Sequence, residues 1–304
     1  MEIFHELINE LQLAGIELKQ GELMCRHTTF SIGGSVSLMV FPGNEEQVAK
    51  IYALCRLYGV RPMIMGAGSN ILAPDEEMDT VMVETKTLMN QVSLREDGTV
   101  YAQAGATLAR LANFALEQEM TGLEFAHGIP GTVGGGVYMN AGAYGGELKD
   151  VIVSVRVLTR DGSIREVPKE ELGLSYRHSR FMEEDSVILG AAFSLTKGDK
   201  TAIKDKMTEL MGRRRTSQPL DRPSAGSTFK RPKEGYAAAL IEQCGLKGFS
   251  VGGAMVSEKH AGFVVNTGRA TAKDVKELMA EVQRIVKEQT GILLEPEVRI
   301  LEVK

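Results

Sequence analysis

Between Gly128 and Gly146 the chain reads GIPGTVGGGVYMNAGAYGG, and eight of these nineteen residues are glycine. The residues between them are small or weakly polar (Thr132, Val133, Asn140, Ala141, Ala143). A backbone this bare is used where something must approach the main chain closely or where φ turns positive. Consecutive free N–H groups in such a loop form concave nests that hold anions, phosphate above all. A flexible linker is the plainer reading. Linkers, however, are rich in Gly and Ser without apolar content, whereas this stretch carries Ile129, Val133, Val137, Tyr138 and Met139. A backbone-lined ligand site is the reading that accounts for both features.

A second glycine turn, Gly66-Ala67-Gly68-Ser69-Asn70, follows the apolar run VRPMIM. Helix, strand and Gly-rich turn in that order are the parts of an α/β nucleotide-binding unit. The turn is not a Rossmann fingerprint, because a third glycine is missing at the required spacing and Leu72-Ala73-Pro74 follows where a helix should start. By itself GAGSN is a weak motif.

The 304 residues leave room for two or three modest domains. The three cysteines, Cys25, Cys55 and Cys244, lie far apart and none forms a CxxC pair, which excludes a cysteine-based zinc or iron–sulfur site. Glu2, Glu6 and Glu10 stand where a secretory signal would be basic, and no apolar run reaches the length of a membrane span, so a cytoplasmic location is expected. The net charge of −5 argues against general nucleic-acid binding. Residues 213–233 nevertheless hold Arg213, Arg214, Arg215, Arg222, Lys230, Arg231 and Lys233 against the single acid Asp221. A basic patch in an acidic chain suits a locally anionic ligand such as a nucleotide diphosphate. For Arg213–Arg215 a solvated helix end is an equal alternative.

Periodicity predicts helices over 3–13, 44–59, 107–120, 201–215 and 271–291. It predicts strands at 35–42, within 80–104, at 151–167 as a hairpin turning on Asp161-Gly162, at 186–195 and at the end, 292–303. In that last strand alternation puts Leu294, Val298 and Ile300 on one face and Glu295, Glu297 and Arg299 on the other. The pattern is α+β, with a domain boundary near residue 200. From residues alone the chain is an α+β protein that binds a phosphate-bearing ligand on glycine loops and a second anion on its C-terminal half. Ser227 has no visible His/Asp partner, His260 reads as a structural histidine, and Arg177 and Arg180 read as surface arginines unless an anion faces them.

Eight stretches taken together change that. HTTFSIGG (27–34), GAGSN (66–70), GIPGTVGG (128–135), NAGAYGGE (140–147), SYRHSRF (175–181), PSAGSTFKRP (223–232), VSEKHAGFVVN (256–266) and LEPEVRI (294–300) occur in this order. In this the chain resembles the UDP-N-acetylenolpyruvoylglucosamine reductases (UDP-N-acetylmuramate dehydrogenases) of bacterial cell-wall synthesis. Each motif is weak singly, but the ordered set is specific. The resemblance implies an FAD-binding fold of the vanillyl-alcohol-oxidase (PCMH) type over residues 1–200, in two subdomains of about 1–70 and 71–200 joined by the terminal strand 291–304. It also implies a separate α+β substrate domain over 201–290. The segment after Arg177 lacks the insertion and clamping tyrosine of one branch of the family, as in its shorter second type.

Carried over residue by residue, the resemblance implies a catalytic arginine at Arg177, a serine proton donor at Ser227 and a glutamate at Glu297. It implies FAD contacts from Gly66, Ala67, Gly68, Ser69 and Asn70, from Ile129, Pro130, Gly131, Thr132, Gly134 and Gly135, and from Arg299. It implies substrate contacts from Arg177, Lys230, Arg231 and His260. The implied reaction reduces the enolpyruvyl ether of UDP-N-acetylglucosamine enolpyruvate with NADPH as electron donor, using FAD and no metal. Partners would then be small molecules, with neither nucleic acid nor membrane. Two other readings are an oxidase of the same fold that passes electrons to oxygen, and a non-catalytic nucleotide-sugar binder.

Overall fold

The structure is a computed structural model and describes residues 2–302. It divides into two compact units. One comprises Met1–Gln20, Leu38–Ala67 and Thr80–Gly212, the other Gly21–Ser37, Gly68–Asp79 and Arg213–Lys304.

In the first unit, five antiparallel strands lie in the order Ile164–Pro168, Ile152–Leu158, Val187–Phe193, Val100–Gln103, Val92–Leu94. All seven residues of the central strand, VILGAAF, are buried, as a continuous apolar run requires. The helix Leu108–Glu117 begins where Thr107 Oγ1 accepts the Arg110 N–H at 3.1 Å, and it buries Leu108, Leu111, Ala112 and Ala115. Its core partners are Val133, Val137, Leu148, Ile152, Val155 and Phe193. A four-stranded sheet runs in the order Glu17–Leu23, Ser35–Phe41, Met78–Glu84, Met63–Met65. In the first unit the helices Glu2–Leu13 and Glu45–Leu57 share a core of Leu7, Leu11, Leu38, Val40, Ile51, Leu54, Val81 and Val83. Asn44 starts the second of these helices by accepting the Gln47 N–H at 2.8 Å.

In the second unit, the antiparallel strands Ser224–Ser227, Phe263–Asn266, Ala254–Val256 and Ser250–Val251 form one sheet, in that order. The helix Ala272–Thr290 starts on a reciprocal pair, in which Thr271 Oγ1 accepts the Asp274 N–H and the Asp274 carboxylate accepts the Thr271 N–H, both at 3.0 Å. It ends on Gly291 at φ 77°. Along it Val275, Leu278, Val282 and Val286 are buried, each contributing about 1.5–3 kcal/mol.

The division differs from the one drawn from the sequence. Residues 21–37 and 68–79 belong with 213–304, and so does the end of the chain. Backbone bonds explain this. Thr29 N–H donates to Gly68 O (3.2 Å), Gly34 N–H to Pro74 O (2.8 Å) and Ser224 N–H to Thr29 O (3.1 Å). Phe30, Ile32 and Leu72 fill the same core as Val275, Leu278 and Leu294.

Two further expectations need correction. The terminal strand is not continuous. Residues 295–297 bond to 228–230 through Lys230 N–H to Glu295 O and Glu297 N–H to Thr228 O, both 2.8 Å, and only Arg299–Ile300 pairs as a strand, parallel to Ile71–Leu72. Leu294 and Val298 are buried as expected, but Ile300 is 39 % exposed, because the segment changes partner between 297 and 299. Val303 of that expected strand lies outside the described residues. The glycine stretch is also not all loop, since VGGGVY (Val133–Tyr138) is helical. Here a Cβ at Gly134 would lie 3.0 Å from the Ala104 Cβ, and one at Gly136 3.0 Å from the Leu148 Cδ1. These two glycines admit close packing against neighbouring elements.

Candidate active site

The turn at Gly66 and the segment Ile129–Gly135 meet in the first unit. A Cβ at Gly66 would lie 2.0 Å from Thr132 Oγ1 and 3.0 Å from its Cβ, so only glycine fits there. Two backbone bonds hold the segment in place, Leu108 N–H to Gly131 O (2.9 Å) and Val133 N–H to Ala106 O (2.8 Å). Thr132 is 1 % exposed, and its buried hydroxyl has no hydrogen-bond partner among the described residues. A buried polar atom left this way is costly unless a ligand satisfies it. Pro130 is exposed and Ile129 half-buried beside it, and a Cβ at Gly135 would meet nothing nearer than Thr132 Oγ1, at 3.7 Å. A lone hydroxyl next to bare backbone suits the phosphates of FAD, so the residues present fit that cofactor.

Arg177 sits at the tip of a tight turn in the same unit. Ser175 and His178 exchange backbone hydrogen bonds of 3.1 and 3.2 Å, leaving Tyr176 and Arg177 as the two central residues. Arg177 has φ 52°, the left-handed region where the third position of such a turn ordinarily carries Gly or Asn. Strain of this kind gathers at functional sites. The guanidinium carbon lies 5.4 Å from the centroid of the Tyr176 ring, and Nη1 lies 3.4 Å from Gly142 O. The base of the turn is anchored to the glycine stretch. Asn140 Nδ2 donates to Ser175 O (2.9 Å), and Ser179 Oγ, fully buried, donates to Tyr138 O (2.7 Å).

Ser227 and Glu297 belong to the second unit and are brought together there by Thr228. Thr228 is 1 % exposed; its N–H donates to Gly262 O (2.8 Å), its Oγ1 accepts the Val264 N–H (2.9 Å) and its carbonyl accepts the Glu297 N–H (2.8 Å). Ser227 opposes Phe263 while Ser224 opposes Val265, so the strand carries one extra residue, with Gly226 at φ 75°. Such a bulge re-aims the side chain beside it. Asn70, expected as a cofactor contact, ties this arrangement together. Its Nδ2 donates to Glu297 O (3.1 Å) and its carbonyl accepts the Arg299 N–H (2.9 Å).

His260 packs edge-on against Phe263, with ring centroids 5.0 Å apart, and its Nδ1 accepts the Gly262 N–H at 3.1 Å. Burial, aided by nearby Lys247, pulls this imidazole below its ordinary value against the opposing pull of its backbone hydrogen bond and Glu242. Lys230 is ion-paired with Glu295, and the Arg231 guanidinium lies 4.1 Å over the Tyr236 ring. Both cations of this pair of expected substrate contacts are therefore already engaged with neighbours in their own unit.

Asn140, Ser179 and Thr228 were not singled out from the sequence as site residues. Their common signal is a polar residue in a glycine-rich or motif segment that turns out to be buried.

Comparison with known proteins gives these features a family. A family model described as an FAD binding domain matches residues 36–168, and one described as the C-terminal domain of UDP-N-acetylenolpyruvoylglucosamine reductase matches 218–301. A glucooligosaccharide oxidase of Acremonium strictum, described as carrying FAD, superposes with a TM-score of 0.50 at 16 % identity over 92 % of this chain and 58 % of its own, a likeness of fold alone. The chain is thus a flavoprotein of the vanillyl-alcohol-oxidase (PCMH) type with α+β architecture. The UDP-N-acetylenolpyruvoylglucosamine reductase of Caldanaerobacter subterraneus subsp. tengcongensis is 46 % identical over 292 residues, covering 94 % of this chain and 96 % of its own. The crystal structure of the Thermus caldophilus reductase matches with a TM-score of 0.79 at 32 % identity, over 94 % of this chain and 99 % of its own. The chain belongs to the UDP-N-acetylenolpyruvoylglucosamine reductase family.

Proposed function

We propose a division of labour among the residues of this chain for the family's reaction, the NADPH-dependent reduction of UDP-N-acetylglucosamine enolpyruvate to UDP-N-acetylmuramate. Bound FAD supplies the hydride for the enolpyruvyl double bond, and NADPH restores it. Gly66–Asn70, Ile129–Gly135 and Arg299 hold the cofactor, with Thr132 donating its hydroxyl to a phosphate. The orphaned Thr132 hydroxyl supports that assignment.

Negative charge develops on the substrate carbon next to the carboxylate as the double bond is reduced. Arg177 stabilises it, and its anchored, strained turn supports that role because a pre-set cation needs no reorganisation as charge appears. Removal of such a stabiliser costs roughly 10²–10³-fold in rate. Ser227 then donates the proton that completes the lactyl ether, as a general acid. A free serine is a weak acid, so the basicity of the enolate drives the transfer. Glu297, tied to Ser227 through the Thr228 peptide, shares or orients this step. Lys230, Arg231 and His260 line the substrate side. We assign the cofactor to residues 1–200 and the substrate to 201–290, with 291–304 contributing Glu297 and Arg299. Its partners are small molecules, and a nucleotide sugar and NADPH as substrates support a cytoplasmic location.

The observation that carries the reading is family membership across nearly the whole chain, with Arg177, Ser227 and Glu297 on motif positions. Its test is Ser227→Ala in anaerobic stopped flow. Reduction by NADPH stays close to that of the unsubstituted protein, and reoxidation by the enolpyruvyl substrate falls by about 10²–10⁴. Equal slowing of both half-reactions contradicts the proton-donor role.

A further inference from the structure

We infer that Asn140 is a positioning residue for Arg177, setting the turn that presents the guanidinium; the inference rests on the role proposed for Arg177. Asn140 is 1 % exposed and sits at φ 43°, a region Asn tolerates better than most residues. Both amide hydrogens and the amide oxygen are engaged. Nδ2 donates one hydrogen to Glu147 Oε2 (2.7 Å) and the other to Ser175 O (2.9 Å), while Oδ1 accepts the Lys149 N–H (3.0 Å). Two donors and one acceptor from a side chain this short are the inventory of asparagine alone. Aspartate would set a second carboxylate against Glu147 and a lone pair against the Ser175 carbonyl.

The partners explain what the amide does. Ser175 O is one end of the turn whose tip is Arg177, and Arg177 Nη1 in turn lies beside Gly142 O, two residues beyond Asn140. The stretch 140–148 is itself closed by Leu148 N–H to Ala141 O (3.0 Å) and by the pairing of Gly142 with Glu147. Glu147 also pairs with Lys149 Nζ at 3.2 Å. Asn140 thus joins a closed hairpin to the base of the strained turn that holds Arg177 at φ 52°. Misplacement of a catalytic group by about 1 Å costs around a hundredfold in rate.

The test compares Asn140→Asp, Asn140→Gly and the double substitution Asn140→Asp with Glu147→Gln against Arg177→Ala, all as FAD-loaded proteins. Glycine keeps the positive φ and so preserves a foldable variant if aspartate does not fold. Reduction by NADPH stays within about twofold, while reoxidation by the enolpyruvyl substrate falls by about a hundredfold in both single variants at position 140. The double variant restores the 140–147 contact, with the introduced amide donating to the introduced carboxylate, but leaves Ser175 O with the His178 N–H alone and no bond to residue 140. It regains melting temperature and not reoxidation rate, a split that a merely structural role does not produce. Reoxidation within about twofold of the unsubstituted protein in the Asn140 variants, or equal loss in both half-reactions, overturns the inference. If Arg177→Ala slows reoxidation while the Asn140 variants do not, only the positioning role fails. If Arg177→Ala leaves reoxidation unchanged, the role of Arg177 and this inference fall together.

Discussion

Replacing Thr132 by valine separates the stability of the protein from its affinity for FAD, and the two should move in opposite directions. The Thr132 hydroxyl is buried, and its oxygen has no partner among the described residues. Nor does it cap the helix Val133–Tyr138, whose N-cap it occupies without a side-chain hydrogen bond. Nothing is lost by removing it, and an unsatisfied buried hydroxyl costs about 1–3 kcal/mol. Close contact with Gly66 takes back part of that gain, because a methyl is larger than a hydroxyl. The apoprotein should therefore gain about 1 kcal/mol, which for a chain of this size raises the melting temperature by about 2–4 °C. With FAD bound, the same change should delete the proposed bond to a charged phosphate, worth about 1.5–3 kcal/mol, a loss of about 10- to 100-fold in affinity. Apoprotein melts and FAD titrations by flavin fluorescence read the two effects. Thr132→Ala relieves the crowding at Gly66 and should give the same loss of affinity. A Thr132→Val apoprotein that melts lower, together with unchanged FAD affinity, refutes the reasoning.

Two further outcomes follow from single contacts. Asp75 accepts the Ala272 and Lys273 N–H groups at 2.8 and 3.1 Å, so Asp75→Ala should cost about 1–2 kcal/mol and lower the melting temperature by several degrees, read by calorimetry. His260 is half-buried and uses Nδ1 as an acceptor, and the partial burial holds its folded value below the ordinary value of about 6.5. Below that pH the unfolded chain takes up a proton that the native state refuses; the stability His260 contributes is complete above about 6.5 and declines as pH falls toward the folded value. An NMR titration assigned with His260→Asn should show its midpoint below those of exposed histidines, and a midpoint at or above about 6.5 contradicts the burial argument.

Much of the fold could be read from local pattern. The helices opened by Asn44, Thr107 and Thr271 begin where their side chains accept the N–H three residues on, because capping needs only short-range contacts. The helix Val133–Tyr138 could not be read, since three consecutive glycines cost about 1 kcal/mol each relative to alanine and only close packing on Ala104, Leu108 and Leu148 offsets that. The terminal segment alternates as a strand does, but alternation cannot reveal that its partner changes from 228–230 to 70–72. The membership of 21–37 and 68–79 in the C-terminal unit was hidden for the same reason, since its bonds link distant stretches such as Thr29 and Ser224. The site followed the same rule. Motifs pointed to Arg177, Ser227 and Glu297, the residues proposed for the reaction. Asn140, Ser179 and Thr228, which anchor them, find partners 35, 41 and 36 residues away and look ordinary in sequence.

An anaerobic visible spectrum of the FAD-loaded protein tests the central claim most directly. NADPH is added first, then UDP-N-acetylglucosamine enolpyruvate. The account predicts that the oxidised flavin band bleaches with NADPH and returns on addition of the enolpyruvyl substrate, before any air is admitted. A band that returns only in air, or a protein that takes up no FAD, contradicts it.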